Sequence, residues 1–200
     1  DDQTSPSVAI ETLGCKLNMA DSERLAREFI GKGYTVVDSD EQADIYIVNT
    51  CTVTHRADRK ARQALRSAKK RNPEALIVAT GCYAQRAPDA IRNLPEVSLV
   101  LGNTLKGRIV EVVQRLTNRM ASHVSPERAF MASKVPGRSR SFLKIQEGCD
   151  QVCAYCIVPI VRGRERSIPP DELIGEINSR VKDGYKEIVL TGTQLGSYGF

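Results

Sequence analysis

Three segments of this chain share one plan: a β-branched run, then a cysteine, then a stretch of helical period. They are Val8-Ala-Ile-Glu-Thr-Leu-Gly-Cys15, Ile45-Tyr-Ile-Val-Asn-Thr-Cys51 and Leu76-Ile-Val-Ala-Thr-Gly-Cys82. Further apolar runs at 34–37 and 97–101, with helical periodicity over 19–31, 56–71 and 106–116, extend the alternation across residues 8–116. Short apolar strands separated by helices predict a parallel sheet buried on both faces. All strands of such a sheet point the same way, so the three cysteines share its carboxyl edge, where open α/β folds bind their ligands. Gly14 and Gly81 let the backbone come close to a bulky inorganic group there. Three free cysteines buried in the core are the plainer alternative. The expected fold class is α/β, with an N-terminal parallel-sheet domain of Rossmann or flavodoxin-like type over residues 1–118.

Residues 117–140 change character. Asn118, Ser122, Ser125, Pro126, Ser133, Pro136, Gly137 and Ser139 follow no period, and 119–140 reads as an interdomain connection. A strand is then expected over 141–146, a cysteine loop over 149–156, and a helix opened by Pro169-Pro170 with Asp171 and Glu172 in its first turn. Leu173, Ile174, Ile177 and Val181 mark its apolar face, Gly184 its stop, and 187–190 a following strand. This is one βαβ unit, and one unit closes no barrel. Residues 141–200 therefore read as an incomplete second domain, and the chain as a piece of a longer protein with a trimmed start.

The six cysteines divide three and three. Residues 1–7 are acidic and polar, unlike an export signal, so a disulfide framework is not expected. In Cys149-Asp-Gln-Val-Cys153-Ala-Tyr-Cys156, three thiolates spaced by three and two residues suit a cubic iron–sulfur cluster with one iron left open. The spacing differs from the paired C-x-x-C of tetrahedral zinc sites, although a zinc loop with a distant ligand stays open as an alternative. The longest apolar runs, 45–48, 76–79 and 157–161, fall far short of the roughly 18 residues a membrane helix needs, so no membrane partner is expected.

The formal charge of +5 is unevenly placed. Residues 56–71 hold eight Lys or Arg against the single acid Asp58, and the remainder of the chain is net negative. A cationic patch this concentrated is the footprint of a polyanion partner.

These residues together resemble the radical SAM (S-adenosylmethionine) methylthiotransferase family. The resemblance rests on Thr12-Leu-Gly-Cys15-Lys-Leu-Asn18 with Asp21-Ser22-Glu23, on Asn49-Thr-Cys51-Thr-Val-Thr54, and on Thr80-Gly-Cys82-Tyr-Ala-Gln85. Lys144-Ile-Gln-Glu-Gly-Cys149, Arg162-Gly163 and Gly192-Thr-Gln-Leu-Gly-Ser-Tyr198 complete it. Cys51-Thr-Val-Thr54 before Arg56-Ala57-Asp58, and Gly81-Cys82-Tyr-Ala-Gln85, look most like the MtaB-type branch, which acts on N6-threonylcarbamoyladenosine beside the anticodon of tRNA. Other branches act on isopentenyladenosine in tRNA or on a ribosomal-protein aspartate. Many members carry Arg after the serine of the Arg-Gly-x-x-x-Ser stretch; here Ile168 follows Ser167.

The resemblance implies a cytoplasmic transferase with two 4Fe–4S clusters, an auxiliary one on Cys15, Cys51 and Cys82 and a second on Cys149, Cys153 and Cys156. It implies S-adenosylmethionine bound near Tyr155, Gly192 and Thr193. It also implies residues 141–200 as the start of a radical SAM partial (β/α) barrel, tRNA rather than DNA as partner, and an electron donor of flavodoxin or ferredoxin type. No catalytic side chain beyond the cluster ligands is assigned, and this piece alone is expected to be inactive. On the basic helix Ala57, Ala61, Ala64 and Ala68 form a small-residue face, leaving Arg59, Arg62, Arg66, Lys69 and Lys70 as a stripe for tRNA phosphates. The contrasting reading is a non-catalytic metal-binding or redox-sensing RNA-binding module.

Overall fold

The structure is a computed structural model, and it describes residues 5–118, 139–151 and 153–199. β1 (Ser7–Thr12), β2 (Thr35–Val37), β3 (Ile45–Thr50), β4 (Leu76–Gly81) and β5 (Leu99–Leu101) form an all-parallel sheet in the order β2-β1-β3-β4-β5. That is the flavodoxin-like strand order, and its switch point lies between β1 and β3.

The two-residue period of each strand sends alternate side chains to opposite faces. Ala9, Tyr46, Val48, Ile77 and Ala79 meet Ala61, Ala64, Leu65 and Ala68 of α2 (His55–Arg71), Tyr83 of α3 (Cys82–Arg86) and Ile91 of α4 (Pro88–Arg92). Val8, Ile45, Ile47 and Val78 meet Leu25 and Phe29 of α1 (Lys16–Gly31) and Ile109, Val110 and Val113 of α5 (Ile109–Asn118). Burying side chains of this size contributes roughly 1.5–3 kcal/mol each. Central β3 is buried along its whole length, as its unbroken apolar run requires. The alanines of α2 let that helix lie close to the sheet. Thr54 opens it by accepting the Ala57 N–H at 3.1 Å, and Lys69, Lys70 and Arg71 suit the negative end of its dipole.

The expected five strands are all present. The helix expected over 106–116 instead begins as a 3-10 turn, Asn103–Arg108, that continues into α5. The helix expected after Cys82 is present as the short α3, whereas α4 carries no expectation, because a five-residue helix has too few turns for a periodic signal.

In the second part, β6 (Arg140–Lys144) pairs in parallel with β9 (Glu187–Thr191). β7 (Gln146–Glu147) pairs antiparallel with β8 (Arg166–Ser167). The expected single strand over 141–146 is therefore divided at Ile145. Its N–H donates to the Thr191 carbonyl at 2.9 Å, while its own carbonyl accepts from Ile168 at 2.9 Å, so it hands the chain from one ladder to the other. α6 (Val158–Arg162) follows the cysteine loop, and α7 (Pro170–Lys182) connects the two parallel strands. Leu143, Ile145 and Leu173 form a small core with Ile168, Ile177, Ile188 and Tyr198. The apolar face expected of α7 is only partly used, since Ile174 and Val181 are exposed: Leu173 and Ile177 suffice to cover a sheet of two strands. α1 packs on β1 and also on β6, so one helix serves both parts. Of the expected connection 119–140, residues 119–138 lie outside the described residues.

Candidate metal centre

Cys15 caps the start of α1, Cys51 directly follows β3, and Cys82 directly follows β4. All three emerge from the carboxyl edge, and the first two flank the switch point. Two glycines make this approach possible. Gly14 has φ +106°, and a Cβ there would lie 2.7 Å from Cys51 Cβ and 2.9 Å from Cys51 Sγ. Gly81 has φ +93°, and its Cβ would lie 2.3 Å from the Thr50 carbonyl oxygen. Both positions thus need a left-handed backbone and the absence of a side chain.

Hydrogen bonds lock the three turns together. Asn18 Nδ2 donates to the carbonyls of Leu13 (2.6 Å) and Thr50 (3.0 Å). Asn49 Nδ2 donates to the Asn18 carbonyl and to Ser22 Oγ, both at 2.9 Å. Thr50 Oγ1 donates to the Thr80 carbonyl at 2.5 Å. Cys51 and Cys82 are buried and Cys15 is exposed. Burial pushes the Cys51 thiol up, and negative charge on nearby Cys82 and Cys15 would push it further.

Beside this triad lies a buried charge network that sequence reasoning missed. Asp21 is paired with Lys106 (2.8 Å), Lys144 (2.6 Å) and Arg162 (2.9 Å). Glu147 is paired with Lys144 (2.9 Å), Arg162 (2.6 Å) and the more exposed Arg166 (2.7 Å). Arg162 also donates to Asn18 Oδ1. Burial works to raise the Asp21 carboxyl, but Lys106, Lys144 and Arg162 together hold it well below the usual carboxylate range. Glu147 is opposed by burial too, and Lys144 and Arg162 hold it low. Burial alone would lower Arg162, but Asp21, Cys82 and Glu147 hold its guanidinium firmly charged.

The network ties α1 of the sheet domain to β6, β7 and α6 of the second part. Glu23 adds a further tie, accepting from Ser141 Oγ and from the Phe142 N–H at 3.0 Å. A signal for it existed. Asn18, Asp21, Ser22, Leu25 and Phe29 fall on one helical stripe, and three polar residues on a core-facing stripe demand partners.

The second triad sits on the loop between β7 and α6. Cys149 is partly buried, while Cys153 and Cys156 are exposed. Gly148 (φ +80°) presses this loop against the chain at 163–164, where a Cβ would lie 2.0 Å from the Arg164 carbonyl oxygen. The Cys149 N–H donates to the Gly163 carbonyl at 3.3 Å. Tyr155 is fully exposed. Gly192 follows β9 and lies against buried Gln146, whose Oε1 would be 2.9 Å from a Cβ at that position. Thr193 Oγ1 is buried without a partner among the described residues. On α2, Arg59, Arg66 and Lys70 are exposed, with Arg66 3.6 Å from Glu96. Arg62 and Lys69 are partly withdrawn, Arg62 donating to Tyr83 Oη at 2.7 Å and Lys69 to the Ala75 carbonyl at 3.4 Å.

No group of three His, Cys, Asp or Glu among the described residues is tight enough to hold a single metal ion. An iron–sulfur cluster asks for something else, because each thiolate binds a different iron and the sulfurs stand further apart. The first triad suits such a group by its donor chemistry and its surroundings. It offers three thiols around a glycine cradle, beside a buried set in which Lys106, Lys144 and Arg162 outnumber Asp21 and Glu147 by one positive charge. An anionic thiolate-held cluster would supply the missing negative charge. The second triad fits through its donor chemistry and its glycine-pinned loop. No helix among the described residues is long and apolar enough to cross a membrane.

Residues 7–102 match the model of a family described as uncharacterized protein family UPF0004. The chain is 43% identical to "Threonylcarbamoyladenosine tRNA methylthiotransferase MtaB" of Aquifex aeolicus, over 96% of this chain and 49% of that protein. The protein of the same name from Bacillus subtilis is 40% identical, over 96% and 45%. A "tRNA-2-methylthio-N(6)-dimethylallyladenosine synthase" of Methylacidiphilum infernorum is 36% identical, over 97% and 44%. The chain thus spans about half the length of the curated relatives it matches. Its fold is shared with the solved cobalamin-dependent S-adenosylmethionine radical enzyme OxsB, at a TM-score of 0.56 and 12% identity, covering 94% of this chain and 34% of that one. With a UPF0004 match at residues 7–102 and relatives of 37–43% identity along nearly all of its length, the chain is a homologue of the MtaB-type tRNA methylthiotransferases over about half of their length.

Proposed function

We propose that this chain serves a tRNA methylthiotransferase that modifies C2 of N6-threonylcarbamoyladenosine, with residues 1–118 as the auxiliary-cluster domain, 119–140 as connection and 141–200 as part of the S-adenosylmethionine domain. The observation that carries the reading is the placement of Cys15, Cys51 and Cys82 at the sheet's carboxyl edge, beside a separate three-cysteine loop. Cys15, Cys51 and Cys82 hold one 4Fe–4S cluster, and Cys149, Cys153 and Cys156 hold the other. When bound, the clusters and S-adenosylmethionine supply the methylthio sulfur and the radical chemistry that an unactivated aromatic C–H bond requires. The chain's own residues hold and orient. The Asp21 network fixes the two cysteine sites against each other, which is what proximity demands of two reacting centres. Tyr155 is available to stack on the adenine of S-adenosylmethionine, and Gly192 and Thr193 lie at the end of β9, where its methionyl end is received. Arg59, Arg66 and Lys70 face tRNA phosphates, with Arg62 and Lys69 behind them. A small redox protein of flavodoxin or ferredoxin type supplies electrons, and a tRNA substrate sets a cytoplasmic location.

The threonylcarbamoyl substrate is favoured by the higher identity to relatives named for it, 43% against 36% for a relative named for dimethylallyladenosine. Mass spectrometry of nucleosides from a strain lacking the gene tests the reading. The expected result is loss of the methylthio form of threonylcarbamoyladenosine with accumulation of its unmodified parent. Loss of the methylthio dimethylallyl nucleoside instead supports the other substrate. Unchanged tRNA overturns the assignment.

A further inference from the structure

Asn103 stands where the two parts of the chain meet at the first cysteine triad. It follows β5 at the carboxyl edge of the sheet and opens the 3-10 turn Asn103–Arg108. Its Nδ2 donates to the Val161 carbonyl at 2.7 Å and lies 3.6 Å from Cys82 Sγ, in hydrogen-bonding geometry for sulfur. The amide orientation is forced. A carbonyl only accepts, so the nitrogen must face Val161, and the second N–H is left for the sulfur. Asn103 Oδ1 is buried without a partner among the described residues. An orphaned buried acceptor is costly, so this side chain is held by what its nitrogen does.

Val161 belongs to α6, which packs on α3, the helix that Cys82 opens. The next residue, Arg162, is clamped by Asp21, Asn18 and Glu147. The position of the Asn103 amide is thus set by the docking of the second part on the first.

We propose that Asn103 is a positioning residue whose amide hydrogen bond to Cys82 Sγ raises the reduction potential of the cluster held by Cys15, Cys51 and Cys82, and that its bond to Val161 makes this depend on the docking of α6. The proposal rests on the reading that this triad holds a cluster. Its physical basis is general: a hydrogen bond to a ligating thiolate withdraws charge from the sulfur and favours the more negative, reduced state of the cluster.

The test uses the full-length protein in a Cys149→Ala/Cys153→Ala/Cys156→Ala background, so that the first triad alone binds iron. The cluster is reconstituted without oxygen and titrated with dithionite while its EPR signal is followed. Asn103→Ala is expected to keep the wild-type iron content and to shift the potential to more negative values. A merely structural role for Asn103 would lower the melting temperature and leave the potential in place. A potential equal to wild type, with iron retained, overturns the proposal while leaving the functional reading intact. No iron in the Asn103-containing parent overturns both. Should Asn103→Ala not hold its cluster, the same parent protein labelled with 15N-asparagine answers by pulsed EPR. A weak 15N coupling to the reduced cluster that disappears in Asn103→Gln, whose amide is unlabelled, supports the contact, and its absence from the parent or its persistence in Asn103→Gln overturns it.

Discussion

Replacing Asp21 by asparagine keeps the size of the side chain and removes one charge from the centre of the buried network. Asp21 is wholly buried, and two of its partners, Lys106 and Arg162, retain only 4% and 3% of their side-chain exposure. The substitution leaves Lys106, Lys144 and Arg162 facing one remaining carboxylate, Glu147. Removing one partner from a buried ion pair costs about 3–5 kcal/mol. At about 1.4 kcal/mol per tenfold change, the unfolding equilibrium rises by roughly two to three and a half powers of ten. Urea denaturation at neutral pH measures this through the shift in midpoint. The pH dependence adds a second readout. Asp21 and Glu147 both bind protons more weakly when folded than their unfolded values of about 3.9 and 4.3. Their stabilisation is complete above those values and is lost as pH falls through the folded ones. Asp21→Asn should flatten that acid limb, and adding Lys106→Met should restore part of the neutral-pH loss by removing the unpaired cation. A loss under about 0.5 kcal/mol with an unchanged acid limb would refute the network's role as an interdomain clamp, since surface-like substitutions are all that stay within this range.

Gly81→Ala, with φ +93° and backbone of Thr50 at 2.3 Å from the new Cβ, should destabilise by on the order of 3 kcal/mol in denaturant titration. Gly175→Ala, inside α7 with nothing within 4 Å, should stabilise by roughly 0.5–1 kcal/mol in the same assay. Thr54→Ala removes the cap of α2 and should cost about 0.5–2 kcal/mol by thermal or urea unfolding. Arg59→Gln with Lys70→Gln should weaken tRNA binding in filter or fluorescence titrations and reduce the slope of log K against log salt by about 0.7–0.9 per lost phosphate contact. Arg62→Gln should show its larger effect on melting temperature, because Arg62 bonds Tyr83 Oη and sits 5.9 Å from the centre of its ring.

The sheet was legible because its signals are local. β-branched runs bounded by Gly and Cys announce β1, β3 and β4, and the alanine face of α2 announces a close-packed helix, as the burial of Ala61, Ala64 and Ala68 bears out. The placement of Cys15, Cys51 and Cys82 on one edge followed from parallel topology alone. What the sequence concealed depends on contacts between residues of different elements. Asp21 and Arg162 are 141 positions apart, and neither carries a periodic signature of its partner. Arg162 reads as the end of an apolar run, and Lys106 as the polar start of an amphipathic helix, yet both are buried. The division of the expected strand at Ile145 was hidden for the same reason. Its partners Thr191 and Ile168 lie elsewhere in the chain, and neither Gly nor Pro marks the turning point in Lys144-Ile145-Gln146.

Iron analysis of the full-length protein bearing Cys149→Ala, Cys153→Ala and Cys156→Ala, reconstituted without oxygen, addresses the central claim. Retention of about four irons with matching acid-labile sulfide, lost when Cys51→Ala is added, is the predicted outcome for a cluster held at the strand ends. An iron-free protein that is folded by circular dichroism would contradict it.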